Sequence, residues 1–164
     1  MTGTVTVLVA SDDASIAGGK ALLRRLVEVA ADTGAGSAHR DRAAAARTWF
    51  VLGEFPADDV QRSVVEHDSL GRAAVRLAVD KVVCVGESRV VRAAHQGAVM
   101  EGSWGDEAVL VASAGELAQR WSRADATSGP GAPGAGDVIA LAGGFDPQIV
   151  VDALAQRDLV IQRI

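Results

Sequence analysis

Two acids stand where a ligand could use them. In RTWFVLGE (Arg47–Glu54) and DKVVCVGE (Asp80–Glu87), an apolar run ends on the same Gly-Glu pair. If both runs are parallel strands, Glu54 and Glu87 leave the sheet at its carboxyl edge, where open α/β sheets bind ligands. Such a pair could hold a metal ion, a ribose or an ammonium group. The competing assignment is that each carboxylate flanks the amide end of the following helix. Ser11, Asp12 and Asp13 occupy a third junction of this kind. A helix start can take a phosphate, but two acids there would repel one. They suit a cation or an amine, or serve as N-caps.

The other reactive residue types point to less. Gly18-Gly19-Lys20 lacks the upstream Gly and the Ser or Thr after Lys that a phosphate loop needs, since Ala21 follows. His67 lies on the apolar stripe of a helix, where a histidine satisfied by one hydrogen bond is the usual finding; as a ligand contact it remains a candidate. His39, His67 and His95 have no Cys or acid at zinc-ligand spacing. Cys84, the single cysteine, sits inside an apolar run and is expected to be a packed thiol. Trp104, in Gly102-Ser103-Trp104-Gly105-Asp106, is either an exposed stacking surface for a base or a partner, or a plug over the end of the sheet.

The elements that must position these residues alternate. Apolar runs at Val5–Val9, Trp49–Leu52, Lys81–Val85, Ala108–Val111, Val138–Leu141 and Leu159–Ile161 predict strands. Between them, helical patterns start near Ser15, run from Asp58 or Asp59, and cover Val90–Ala98, Gly115–Arg123 and Pro147–Ala155. The second helix shows a stripe of Val60, Val64, His67, Leu70, Ala74 and Leu77. Thr33–Ala46 and Thr127–Gly136 read as loops, the latter a Gly/Pro connector with too little apolar content to pack. This order predicts an α/β three-layer domain over residues 1–164, with about six mainly parallel strands and helices on both faces.

Composition agrees. The aliphatics and Ala supply most of an apolar content of 49%, with only three Phe, three Trp and no Tyr, which suits a parallel sheet under helices. A net charge of −5 with scattered Arg makes nucleic acid an unexpected partner. No basic leader and no apolar run of ~20 residues is present, so a cytosolic chain without a membrane span is expected.

The stretch Arg47–Glu87 resembles the C-terminal domain of the Mur ligases, most closely the MurF family. The carriers are WFVLGE (Trp49–Glu54), EHDSLGRAAVRLAVDKVVCVGE (Glu66–Glu87), HQGAV (His95–Val99) and a Gly-Asp, strand and helix sequence from Gly136; the pattern extends from about Val5 to Leu154. The resemblance implies a Rossmann-like domain that closes over ATP and presents an incoming amino acid or dipeptide. In that family, separate domains hold the UDP-sugar and carry the phosphate loop, and the reaction passes through an acyl phosphate attacked by an amine.

The departures fall at the ends of strands. The family's Asp-Ser-Tyr-Asn-Ala-Asn-Pro is matched here by Ala10–Ile16, where only Ser11 and Ala14 agree, and its Lys-Gly-Ser-Arg by Ala142-Gly143-Gly144-Phe145. Electrostatic help for a phosphorylated intermediate is missing at both places. The chain also begins at its own Met directly before this pattern, so the expectation is a degenerate, stand-alone domain that does not ligate by itself. It would act as a binding or regulatory module whose partner is a Mur-type ligase or another cell-wall protein. The alternative is a component of an amide ligase working in trans, with Ser11, Asp13, Glu54 and Glu87 lining the completed site. ATP and Mg would enter only with that separate ligase domain. A third reading is an isolated small-molecule binder.

Overall fold

The computed structural model describes residues 3–10, 14–35, 46–124 and 131–164. Six strands alternate with five helices: β1 Gly3–Val9, α1 Ile16–Thr33, β2 Thr48–Leu52, α2 Val60–Arg76, β3 Lys81–Val85, α3 Arg89–Glu101, β4 Ala108–Val111, α4 Ala114–Arg123, β5 Val138–Ala142, α5 Pro147–Ala155 and β6 Leu159–Arg163. They form one sheet in the order β4-β3-β2-β5-β1-β6, with every pairing parallel. The α/β three-layer fold is as expected, and the elements match the sequence pattern to within a few residues.

The sheet is doubly wound. Residues of α1, α2 and α3 share one core with Leu8, Phe50, Leu52, Val82, Cys84 and Ala140. Those of α4 and α5 share a second with Val5, Trp49, Val51, Val83 and Ile139. Successive strand residues alternate between the two cores, which is why β2, β3 and β5 are buried along their whole length and read as unbroken apolar runs.

Each helix begins where a side chain satisfies its first amides. Ser15 accepts from Gly18 N, Asp59 from Gln61 N and Arg62 N, Ser88 from Val91 N, Ser113 from Glu116 N, and Asp146 from Gln148 N. Helix α1 ends at Gly34 in the left-handed conformation.

The stripe on α2 needs correction. His67, Leu70 and Ala74 are buried as expected, but Val60 is 61% exposed and Leu77 is also exposed. Their places are taken by Ser63 and Gly71. The reason is the neighbour: α3 crosses so closely that a Cβ on Gly71 would stand 2.0 Å from Ala94 O, and one on Gly97 would stand 2.2 Å from Asp68 O. Two glycines let two backbones touch. Gly71 lies in EHDSLGRAA and Gly97 in HQGAV, so two of the resemblance motifs meet at this crossing. Arg72 and Arg76 then tie α2 to Glu101 at the end of α3, with Arg76 Nε 2.7 Å from Glu101 Oε1.

The Gly/Pro connector is corrected as well. Thr127–Pro130 lie outside the described residues, but the rest of it packs. Ala132 joins the α4/α5 core, the Pro133 carbonyl accepts from Arg157, and Gly136 N donates to Thr4 O at 2.7 Å.

Candidate functional site

All strands point the same way, so the carboxyl ends of β1, β2, β3 and β5 share one edge. The chain changes face between β5, which leads to α5, and its neighbours β1 and β2, which lead to α1 and α2. That reversal is the switch point at which such sheets open a crevice. Glu54 and Glu87 both emerge at this edge and both are exposed. Ser11, Asp12 and Asp13 lie outside the described residues. An open cavity of about 310 Å³ lies between β1 and α1, bounded by Leu8, Val9, Gly18, Leu22, Arg25 and Ile164, the last of these following β6. Its lining is apolar apart from Arg25, whose guanidinium sits 3.5 Å from Glu28.

Between β2 and β5 the mouth is shut. Past the strands the ladder continues, with Gly53 N donating to Ala142 O at 2.8 Å and Gly144 N to Glu54 O at 2.7 Å. A Cβ on Gly143, which holds φ +96°, would lie 2.7 Å from the backbone of Gly53. A Cβ on Gly144 would lie 2.8 Å from Glu54 O, and the Phe145 ring packs against Gly53. The run Ala142–Phe145 therefore lies backbone on backbone over Gly53–Glu54 and presents no polar side chain.

Charge at this edge leans acidic. The described junctions contribute Glu54, Asp58, Asp59, Glu87 and Asp146, against Arg89, with Arg163 at the end of β6 bonded to Gln148 and Arg25 on the cavity. The amide ends of the helices are already occupied by the capping side chains, two of them carboxylates. A phosphate would meet repulsion here, and an ammonium group would not. Among the described residues no group of three or more His, Cys, Asp or Glu is placed to hold a metal ion.

His67 supports the mouth from beneath. It is 1% exposed, its Nε2 accepts from Phe55 N at 3.1 Å, and its Nδ1 lies 2.7 Å from Ser63 O. Because Nε2 must accept from an amide, the proton sits on Nδ1 and is donated to the Ser63 carbonyl. Both ring nitrogens are thus used within the chain, to fix Phe55 after β2. The Phe55 ring in turn fills the space above Gly19, where a Cβ would be 2.5 Å from Cζ. This accounts for the Gly-Gly-Lys that resembles a phosphate loop: the glycine makes room for a ring.

Cys84 is buried and burial alone pushes its thiol up to about 12, so it is a packing residue. Trp104 does not belong to this edge. It precedes β4 and so lies at the opposite, amino edge of the sheet; at 80% exposure it plugs nothing.

The residues that sequence reasoning passed over are at that amino edge. Asp137, just before β5, is buried and accepts three N–H groups: Arg47 N at 2.7 Å, Trp49 Nε1 at 2.8 Å and Gly134 N at 2.9 Å. Burial pushes its carboxyl above the ordinary range while these donors pull it down. Asp80 ties β2 to β3 through Thr48, accepting from its amide at 2.9 Å and its hydroxyl at 3.0 Å. Lys81 is nearly buried and reaches Asp106 Oδ2 at 3.1 Å. The available signal was an acid standing immediately before an apolar strand, in Gly136-Asp137 and Asp80-Lys81.

The fold and its edge define a doubly wound α/β domain with an acidic, partly closed carboxyl edge. Over 68 residues the chain is 56% identical to the UDP-N-acetylmuramoyl-tripeptide–D-alanyl-D-alanine ligase of Mycobacterium leprae, a stretch covering 42% of this chain and 13% of that protein. Proteins of the same name from Mycobacterium bovis and Mycobacterium tuberculosis are each 51% identical over 59 residues, 36% of this chain and 11% of theirs. The resemblance to MurF is thereby shown over that stretch. The chain spans only a small part of the length of the curated relatives it matches. No family model matches the chain, and no solved structure matches it. No helix among the described residues is long and apolar enough to cross a membrane.

Proposed function

We propose that this chain is a MurF-like C-terminal domain that serves peptidoglycan precursor synthesis as a non-catalytic binding or regulatory module. One observation carries the reading. At the switch point, where the related enzymes' pattern places Lys-Gly-Ser-Arg, Ala142–Phe145 closes on Gly53–Glu54 through backbone contacts and the Phe145 ring, and acids outnumber cations at the described junctions around it. Phosphoryl transfer depends on positioned positive charge, and this edge offers the opposite. The packing that makes the domain, including the Gly71–Gly97 crossing, is complete. Its partner in this reading is a MurF-type ligase or another cell-wall protein.

The test uses the full chain and purified MurF-type ligase of the same cell. The chain is expected to bind the ligase and change its turnover, and to release no ADP alone with ATP, Mg, UDP-muramoyl tripeptide and D-alanyl-D-alanine. ADP release by the chain alone overturns the reading, as does the absence of any effect on the ligase.

Exposed Glu54 and Glu87 favour a second reading, in which the edge receives the ammonium group of an incoming amino acid or dipeptide for a ligase domain supplied in trans. ATP and Mg would then be held by that domain. Restoration of ligation to a separately produced ATP-binding part, lost in Glu54→Gln, distinguishes it.

A further inference from the structure

Trp104 is held out of the protein by a loop built to keep it there. Helix α3 stops at Gly102, at φ +125°, where Gly102 N donates to Val99 O and Ser103 N to Ala98 O, both at 3.1 Å. A 3-10 turn over Gly105–Glu107 follows, entered through Gly105 at φ +51°. Trp104 is pinned between them: its N–H donates to Glu107 Oε2 at 2.9 Å, and its carbonyl accepts from Glu107 N at 2.9 Å. Lys81 anchors the turn from below, its ammonium 3.3 Å from Asp106 O and 3.1 Å from Asp106 Oδ2. An indole that could fold back onto the protein is instead 80% exposed on a braced turn.

The charge around it is what selects an occupant. Asp106 is 61% exposed while Lys81, its cation, is 7% exposed, so solvent meets the acid and not the base. The Glu107 carboxylate lies against the Trp104 backbone, and its second oxygen has no partner among the described residues. Val99 and Met100, in the last turn of α3, are also exposed. Phosphates would be repelled by both acids, which disfavours a nucleic acid stacking on this ring. A guanidinium fits: it stacks on an indole face, pairs with a carboxylate beside it, and lays an aliphatic stem along apolar surface. The ordering cost is small because the loop is already fixed.

We propose that the Val99–Glu107 surface is a docking site for an arginine presented by a partner protein. It lies at the amino edge of the sheet, away from the carboxyl edge, and does not rest on the function proposed above.

The full chain is titrated with the peptide acetyl-Ala-Leu-Arg-Ala-amide at millimolar concentration, with the citrulline peptide as an uncharged control of the same shape. Binding is read from the indole N–H and the Ser103–Glu107 amides in two-dimensional NMR. Trp49 and Trp121 are both 2% exposed, so their indole signals serve as internal references. The arginine peptide is expected to shift the loop signals and the citrulline peptide to leave them in place. Trp104→Ala and Glu107→Gln should each weaken binding by roughly threefold, the size of an exposed cation–π contact and of an exposed ion pair respectively. Equal shifts with citrulline, no shift with arginine, or an unchanged arginine affinity in Trp104→Ala would each overturn the assignment. So would shifts that grow with protein concentration alone, which would mark the surface as a contact between copies of this chain.

Discussion

Replacing Asp137 with Ala removes one side chain and strands three donors. Trp49 Nε1 is the most costly of them, because the Trp49 ring is buried and packs edge-on against Trp121 with centroids 5.5 Å apart. An unsatisfied buried donor costs about 1–3 kcal/mol, and a bond to a charged acceptor is at the upper end of that scale. Arg47 N and Gly134 N are only partly buried and can recover water, so the sum falls short of three full penalties. A loss of roughly 3–5 kcal/mol is expected. With a urea m-value of about 2 kcal/mol/M for a chain of this size, the midpoint should fall by roughly 1.5–2.5 M. Asp137→Asn should fall between wild type and Ala. Its oxygen can still serve Trp49 and Gly134, while its amide nitrogen opposes Arg47 N. The assay is equilibrium urea unfolding followed by tryptophan fluorescence and far-UV circular dichroism. A loss below about 1 kcal/mol for Ala, or equal losses for Asn and Ala, would refute the reasoning that three ordered donors converge on one carboxylate.

Two further outcomes follow from α2 and α3. Gly71→Ala places a methyl 2.0 Å from Ala94 O, a backbone atom, so the helices must part by about 1 Å; overpacking of this kind should cost about 3 kcal/mol, and a neutral thermal melt would contradict the crossing. The second concerns acid. The hydrogen bond from Arg76 and its charge, with a smaller share from Arg72, hold Glu101 below the ordinary carboxylate range. A depressed folded value contributes stability above the unfolded value of about 4.5 and loses it as pH falls through the folded one. Glu101→Gln should therefore flatten the wild-type decline in melting temperature between pH 5 and the acid limb (on the order of pH 3), and parallel curves for the two proteins would count against it.

How far the carboxyl edge could be read beforehand depends on the residue. Glu54 and Glu87 were legible because an apolar run ending in Gly-Glu is a local pattern, and a parallel strand sends its last residues to one edge. Trp104 was legible as an aromatic between two glycines, but its end of the sheet and its exposure were not. Both depend on β4 pairing with β3 and on the Lys81 anchor, 23 residues earlier in the chain. His67 carried the right signal, a histidine on an apolar stripe, and the structure adds its two partners at Ser63 and Phe55.

The sequence by itself determined the alternation of strand and helix, the apolar runs of β2, β3 and β5, helix starts near Ser15 and at Asp58 or Asp59, and the resemblance to MurF. These are properties of short windows, where side-chain periodicity, capping oxygens and shared wording act on neighbours. The tertiary structure alone decided that Gly143 and Gly144 lie on Gly53 and Glu54, that Gly71 meets the backbone at Ala94 while Gly97 meets that at Asp68, and that Asp137 gathers donors from Arg47, Trp49 and Gly134. Glycines carry no side chain by which a pattern could reveal what approaches them, and a buried carboxylate is marked by its donors, which reach it only when distant strands pair. The closure between β2 and β5 is a contact of this second kind, which is why the resemblance pointed to a crevice and the packing showed that part of it shut.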